Sequence, residues 1–75
     1  MVKSPADLGR LVRDKRRKDG LTQVDAAALC GIGTRFLSDL ENGKPTIELG
    51  KVLQVVQGLG LELRIEPRGW PERGA

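Results

Sequence analysis

The sequence contains no histidine and no tyrosine, and it has only one cysteine, one phenylalanine and one tryptophan among its 75 residues. Acid–base catalysis uses histidine most often, and a structural zinc site needs four histidine or thiolate ligands. The single thiol, Cys30, cannot close such a site, and we expect it to be a buried structural residue rather than a nucleophile. These absences predict a protein that is not an enzyme and holds no metal or cofactor.

Long apolar runs are also absent. No stretch approaches the roughly 20 apolar residues that a membrane-spanning helix requires, and the N-terminus, MVKSPADLG, lacks an apolar signal core. A lone cysteine fits a reducing compartment. We therefore expect a cytoplasmic protein, associated with the nucleoid if it binds DNA.

The net charge of +3 is unevenly distributed. Residues 1–44 contain nine Lys or Arg and six Asp or Glu, whereas residues 45–75 contain four of each sign. A positive excess confined to one part of the chain favours a polyanionic partner. A chain of this length forms one domain with a modest core, so dimerisation is the expected further source of stability.

Capping signals predict the first two helices. Ser4 and Pro5 are typical of a helix start, and the helix is expected over 5–19, ending at Gly20. Thr22 begins a variant of the capping box, which predicts a second, short helix that ends at about Cys30.

Two further helices follow. One is predicted from Thr34 to Glu41, with Asn42-Gly43 as its stop signal. Thr46 is expected to cap the last helix, in which the apolar residues from Leu49 to Leu59 form one stripe. Together the four helices make a predicted domain at 1–60.

Residues 61–66 alternate strictly between apolar and charged side chains, which is the pattern of a strand. One strand has no hydrogen-bonding partner within its own chain. We expect it to pair across a homodimer, with Leu61, Leu63 and Ile65 on a shared face. The alternative is a frayed, extended tail.

Residues 67–75 contain two prolines and two glycines, and we expect a flexible C-terminal tail. Trp70, the only tryptophan, lies in it. Either this side chain folds back onto the domain, or it is an anchor for a partner, because tryptophan is enriched at binding hot spots.

The stretch GIGTRFLSDLENG, from Gly31 to Gly43, follows a short capped helix through a glycine-containing turn. Two short helices joined in this way are the signature of the helix-turn-helix. Its second helix lies in the major groove of DNA, with its N-terminal residues at the base edges. With the two leucines of that helix holding it to the core, the outward residues are Thr34, Arg35, Ser38, Asp39 and Asn42.

The longer stretch LTQVDAAALCGIGTRFLSDLENGK resembles the lambda-repressor-like (XRE) helix-turn-helix domains, and the resemblance covers about residues 4–60. It implies a mainly α, compact four-helix domain, here followed by one C-terminal β-strand that pairs across a dimer. The chain departs from the family at Ala26 and Cys30, where larger side chains are usual, and both changes shrink the core.

Within that family the chain is most similar to the HipB-like antitoxins, because of its Ser4-Pro5 start, its compact body and the LGLELRIE strand with a short tail. The resemblance implies a homodimer that binds an operator in its own promoter. It also implies a HipA-like kinase toxin as a partner.

The resemblance assigns roles residue by residue. Thr34 and Arg35 match base-contacting positions, and Ser38 lies one turn further along the same helix. Arginine can pair bidentately with guanine, and threonine can contact a base edge or a thymine methyl. The residues expected at DNA phosphates are Gln23, Asn42, Lys44 and, from the first helix, Arg13.

Other side chains have a plainer interpretation. The family pairs an arginine at the position of Arg16 with the acidic residue that is Glu41 here, so we expect a structural salt bridge rather than a DNA contact. Arg17 and Lys18 are expected on a solvated face. Phe36 is expected to pack at the core edge, with an apolar contact to thymine as the alternative.

Three functions stay open at this stage. The favoured hypothesis is a dimeric repressor that reads an inverted repeat, with half-sites about one helical turn apart, and that also serves as an antitoxin. The second is a stand-alone XRE regulator without a toxin. The third is a helix-turn-helix scaffold used only for protein–protein interaction.

Overall fold

The computed structural model describes residues 1–69, and this part of the chain contains four α-helices. Their bounds are Pro5–Lys18 for α1, Gln23–Cys30 for α2, Thr34–Glu41 for α3 and Leu49–Gly58 for α4. The mainly α, four-helix class expected from the sequence is confirmed. Trp70 and the rest of the expected tail lie outside the described residues.

The first two helices begin at the residues that their capping signals indicated. The hydroxyl of Ser4 accepts a hydrogen bond from the backbone N–H of Asp7 at 3.1 Å. The hydroxyl of Thr22 accepts one from Asp25 at the same distance. At the other end of α2, Gly31 adopts φ +70°, a left-handed conformation that glycine reaches without steric cost.

The last helix begins later than the sequence predicted. Thr46 does not cap it: α4 starts at Leu49, and Glu48 occupies the cap position without a side-chain hydrogen bond. The reason lies in Ile47, which is half-buried and packs against the core. The backbone of Glu48 is still extended, with φ −73° and ψ 115°, so the helix starts only after the residue that packs. Tertiary packing thus outweighs the local capping preference of threonine.

The core lies where all four helices meet. Val12 of α1, Leu37 and Leu40 of α3 and Val55 of α4 are its largest fully buried side chains. The helix-turn-helix is therefore held from both sides, by α1 on one and by α4 on the other.

Two glycines allow the helices to approach each other closely. A Cβ atom on Gly9 of α1 would lie 2.6 Å from the carbonyl oxygen of Glu41 and would also collide with that of Leu40. A Cβ atom on Gly58 of α4 would lie 2.6 Å from Cys30 Sγ. The small cysteine is thus matched by a residue without a side chain on the facing helix.

The segment after α4 has no regular secondary structure within residues 1–69, and it forms no strand there. The strand predicted at 61–66 is therefore not formed by a single copy, which is consistent with its need for a partner strand, and it stays a prediction about the dimer. Leu61 is half-buried against the core, whereas the side chains of Leu63 and Ile65 are exposed. Among residues 1–69, no helix is long and apolar enough to cross a membrane.

Candidate nucleic-acid interface

The turn between α2 and α3 is fixed by its own backbone and by α4. The N–H of Ile32 donates to the carbonyl of Ala27 at 3.0 Å, and the Ile32 side chain packs against the core. From α4, Nε2 of Gln54 donates to the carbonyls of Cys30 at 2.9 Å and Gly31 at 3.1 Å. These carbonyls have no partner within α2, so Gln54 satisfies the helix end and ties the turn to α4.

Helix α3 has one buried face and one open face. Leu37 and Leu40 are 0% and 2% exposed, which fixes the helix to the core. Thr34 and Arg35, on the first turn, are exposed, and the Arg35 side chain has 91% of its surface in solvent. Ser38, one turn further, is half-buried. The three residues expected to contact bases are therefore all on α3, and the first two are freely accessible.

Asp39 lies between two of the residues expected to contact DNA. One of its carboxylate oxygens is 3.9 Å from Arg35 Nε and 3.7 Å from Lys44 Nζ. The backbone N–H of Lys44 also donates to the carbonyl of Asp39 at 3.0 Å. This carboxylate offsets part of the local positive charge and restrains both cations, and exposed contacts at these distances contribute little to stability.

A second polar cluster surrounds Glu41 at the C-terminal end of α3. Arg16 donates to both of its carboxylate oxygens, from Nε at 2.6 Å and from Nη2 at 2.9 Å. A third donor, Arg16 Nη1, binds the carbonyl of Leu21 at 2.9 Å. Arg16 and Glu41 are 8% and 3% exposed, so this is a buried pair that ties α1 to α3. The salt bridge expected from the sequence is therefore present, and that Arg16 makes no DNA contact stays a prediction.

Three of the four residues expected at phosphates adjoin this buried pair. Gln23 Nε2 donates to Glu41 at 3.1 Å, and Arg13 Nε is 3.7 Å from the same oxygen. Arg13 Nη2 also reaches the side-chain oxygen of Asn42 at 3.4 Å. Gln23 begins α2, Arg13 lies within α1 and Asn42 follows α3, and these three residues meet around Glu41. The fourth, Lys44, lies apart from them, beside Asp39.

The ionisation of this cluster follows from its contacts. Burial alone raises the pKa of Glu41, but hydrogen bonds from Arg16 and Gln23, with the charges of Arg16 and Arg13, outweigh it and hold that pKa below its ordinary value. The hydrogen bond to Glu41 raises the pKa of Arg16 against the opposing effect of burial. Each partner therefore favours the charged form of the other. Burial raises the pKa of the Cys30 thiol, which disfavours the reactive thiolate.

The sequence did not identify three of these features. Gln54 stabilises the turn from 24 residues away in the chain, and no local pattern reveals it. Lys51 Nζ lies 5.8 Å from the centre of the Phe36 ring, a cation–π arrangement at the edge of α3. Phe36 is half-buried and packs against the core, in agreement with edge packing. The leucine spacing predicts that Asp39 faces outward, but its position between Arg35 and Lys44 depends on the turn after α3.

Comparisons with known proteins agree with this architecture. A family model described as a helix-turn-helix domain matches residues 7–66. The uncharacterized HTH-type transcriptional regulator y4mF of Sinorhizobium fredii is 52% identical over 64 residues, which are 85% of this chain and 84% of that protein. The ImmF control region 10 kDa protein of Bacillus phage phi105 is 43% identical over 37 residues, 49% of this chain and 41% of that protein.

Solved structures give the same result. A HipB–O4 20mer complex and a HipA–HipB–O2–O3 complex each contain a chain that superposes with a TM-score of 0.82 at 25% identity. In both cases the match covers 91% of this chain and 96% of the other. The chain therefore belongs to the XRE-like helix-turn-helix family of DNA-binding transcriptional regulators, and its fold is similar to that of HipB.

Proposed function

We propose that this protein is a dimeric transcriptional repressor that reads an inverted-repeat operator with α3. The observation that carries the proposal is the division of α3 into a buried leucine face and an open first turn with Arg35 91% exposed. The base-reading residues are Thr34, Arg35 and Ser38. The phosphate contacts are supplied by Gln23, Arg13, Asn42 and Lys44, so affinity depends on salt concentration.

Base reading and phosphate binding can be separated by substitution. In Arg35→Ala, preference for the operator over unrelated DNA should fall about 5- to 150-fold for each half-site, because each bidentate base contact contributes roughly 1–3 kcal/mol of discrimination and the dimer loses one in each half-site. Arg35→Lys keeps the charge but not the bidentate geometry, so it should lose most of the same preference. Lys44→Ala should weaken binding to both duplexes equally and reduce the slope of log K against log salt by about 2, because one phosphate contact is lost from each subunit of the dimer.

Fluorescence anisotropy measures these effects, with labelled DNA from upstream of the protein's own gene and an unrelated duplex of equal length, at two salt concentrations. The wild-type chain should prefer its own DNA by about a thousandfold. Lys18→Ala removes an exposed cation from the solvated end of α1 and is the charge-matched control. If Arg35→Ala keeps the full preference, Arg35 is not the base reader. Absence of binding to either duplex at low salt would favour the protein-interaction scaffold.

A second candidate function is that of an antitoxin. The likeness to the HipB chain of a HipA–HipB–O2–O3 complex, over 91% of this chain, supports it. The partner would be a HipA-like kinase, with the tail at 67–75 and its Trp70 as the anchor. These residues lie outside the described part of the structure, so the proposal rests on the similarity and on the composition of the tail.

Removal of residues 67–75 separates the antitoxin from a stand-alone regulator. With a kinase-like protein encoded beside this gene, the full chain should restore growth to cells that express the kinase. The shortened chain should fail to do so, while its affinity for the operator stays within about twofold of wild type, and Trp70→Ala should reproduce the failure. Equal protection by full and shortened chains would remove the tail from the proposed interface.

A further inference from the structure

The segment after α4 presents two chemically different faces. The backbone N–H of Leu61 donates to the carbonyl of Val56 at 2.8 Å, which fixes where the segment leaves the helix. Leu63 and Ile65 follow on the apolar side and are 52% and 89% exposed. On the other side, Arg64 lies 3.9 Å from Glu62 and 3.8 Å from Glu66. Within residues 1–69, one face is thus apolar and unpartnered, and the other alternates in charge.

We propose that this segment pairs antiparallel with the same segment of a second copy in one specific register, with Leu63 directly opposite the partner's Leu63. The inference rests on the dimer of the proposed function and adds to it the register and the residues that select it. The consequence is a reciprocal contact between subunits, in which Glu62 of each copy faces Arg64 of the other.

The apolar face limits the possible registers. Directly opposed residues of an antiparallel pair lie on the same side of the sheet. A shift by a single residue would place leucines against charged side chains. The two faces stay separate only when one residue lies directly opposite its own copy, and such a register is said to be centred on that residue. The candidates within the segment are those centred on Glu62, Leu63, Arg64 or Ile65.

Charge excludes two of the four candidates, and the apolar face excludes a third. Centring on Arg64 places arginine against arginine and Glu62 against Glu66, and centring on Glu62 places two glutamates together; both are unfavourable. Centring on Ile65 also opposes Arg64 with Glu66. However, it places Leu63 against Pro67 and Leu61 against Gly69, two residue types that are depleted in strands and give the leucines little to pack against. Centring on Leu63 opposes Glu62 with Arg64 on both sides of the two-fold axis.

The register centred on Leu63 also buries the exposed apolar side chains of the segment. It places Leu61 opposite the partner's Ile65, and Leu61 lines a groove together with Leu53, Val56 and Gln57. The most exposed apolar side chain of the segment therefore reaches the groove of the other subunit. A second copy of this chain is complementary to the segment in both polarity and charge.

Disulfide cross-linking of variants with one added cysteine identifies the register directly. In the proposed pair the two copies of residue 63 have Cα atoms about 4.5–5.5 Å apart, within the range of a disulfide. Copies of residue 62, or of residue 64, are offset by two residues and lie about 8 Å apart, which is too far. Under mild oxidation Leu63→Cys should therefore form a covalent dimer, and Glu62→Cys, Arg64→Cys and Ile65→Cys should not.

A mixture of two single-cysteine variants provides a second test in which cross-linking is the expected result. Glu62→Cys and Arg64→Cys should cross-link with each other although neither cross-links alone. The wild-type chain is the control for Cys30, which is buried. Cross-linking of Arg64→Cys or Ile65→Cys alone would mean that the dimer exists in another register. A wild-type chain that sediments as a monomer, with no cross-link at any position, would instead refute the dimer itself.

Charge substitutions test the register without a new thiol. Glu62→Arg should raise the dimer dissociation constant about tenfold, because it places two arginine pairs across the axis. Glu62→Arg combined with Arg64→Glu should restore the wild-type value. In a register centred on Arg64, the single substitution would face Glu66 and strengthen the dimer. Sedimentation equilibrium distinguishes the two results, and a tighter dimer for Glu62→Arg would overturn the proposal.

Discussion

Replacing Glu41 by alanine is expected to lower the free energy of unfolding by about 3–5 kcal/mol, the cost of leaving one charge of a buried pair alone. Arg16 is 8% exposed and would keep its charge, while its Nε and Nη2 groups would lose the acceptors that lie at 2.6 and 2.9 Å. Only Nη1 would retain its hydrogen bond, to Leu21. For a domain whose total stability is about 5–15 kcal/mol, this is a large fraction.

Urea denaturation at one fixed protein concentration measures this loss, because the stability of a dimer depends on concentration. Asp14→Ala, which removes an exposed carboxylate from α1, should change stability by no more than about 0.5 kcal/mol. Glu41→Gln keeps an acceptor and should cost roughly 1.5–3 kcal/mol. Arg16→Met combined with Glu41→Leu should recover much of the loss, since both charges are then absent. A Glu41→Ala variant as stable as Asp14→Ala would mean that the pair contributes no more than an exposed one.

The same pair predicts sensitivity to acid. The pKa of Glu41 is lower in the folded chain than its ordinary value, so the folded state binds this proton less tightly than the unfolded state does. The contribution to stability is therefore complete above the unfolded pKa of about 4.3, and is lost as the pH falls through the lower folded pKa. Glu41→Gln lacks this titrating group, so its stability should fall less steeply below about pH 5 than that of the wild type. Denaturation at successive pH values compares the two.

The helices could be predicted because their signals are local. Ser4 and Thr22 cap helices with bonds that span three residues, so the sequence alone contains both partners. Thr46 is a capping residue of the same kind but does not cap α4, because the next residue, Ile47, packs against the core and the helix starts only at Leu49. Whether a capping residue is used depends on packing further along the chain, which no local window contains.

The exposed residues of the candidate site could be predicted from the sequence, but the long-range contacts that hold them in place could not. The spacing of Leu37 and Leu40 fixes which face of α3 is buried, and therefore that Arg35 points outward. In contrast, Arg13 approaches Asn42 across 29 residues of chain, and Gln54 reaches the α2 end across 24. These contacts depend on the angles at which helices cross, which the apolar pattern leaves undetermined.

The close crossing of α1 and α3 leads to the second prediction, that Gly9→Val costs about 3 kcal/mol or more of stability and weakens DNA binding. A Cβ atom at this position would lie 2.6 Å from the carbonyl oxygen of Glu41 and 2.9 Å from its carbonyl carbon. Both are backbone atoms, which cannot rotate away, so α1 and α3 would have to separate. Overpacking of this kind costs typically 1–3 kcal/mol and occasionally more. The separation would also stretch the Arg16–Glu41 pair.

Gly50 of α4 provides the matched control, because a Cβ atom there would meet only the carboxylate of Glu48, at 4.0 Å. Alanine is favoured over glycine inside a helix by about 1 kcal/mol, so Gly50→Ala should be neutral or slightly stabilising. Gly9→Ala should be destabilising despite the same intrinsic gain, because its Cβ meets backbone. Thermal unfolding ranks the variants by stability. Operator binding, measured at a temperature where each variant is folded, shows whether the position of α3 has changed. Equal stability of the two alanine variants would mean that α1 and α3 can separate without loss, in which case the crossing does not position the reading helix.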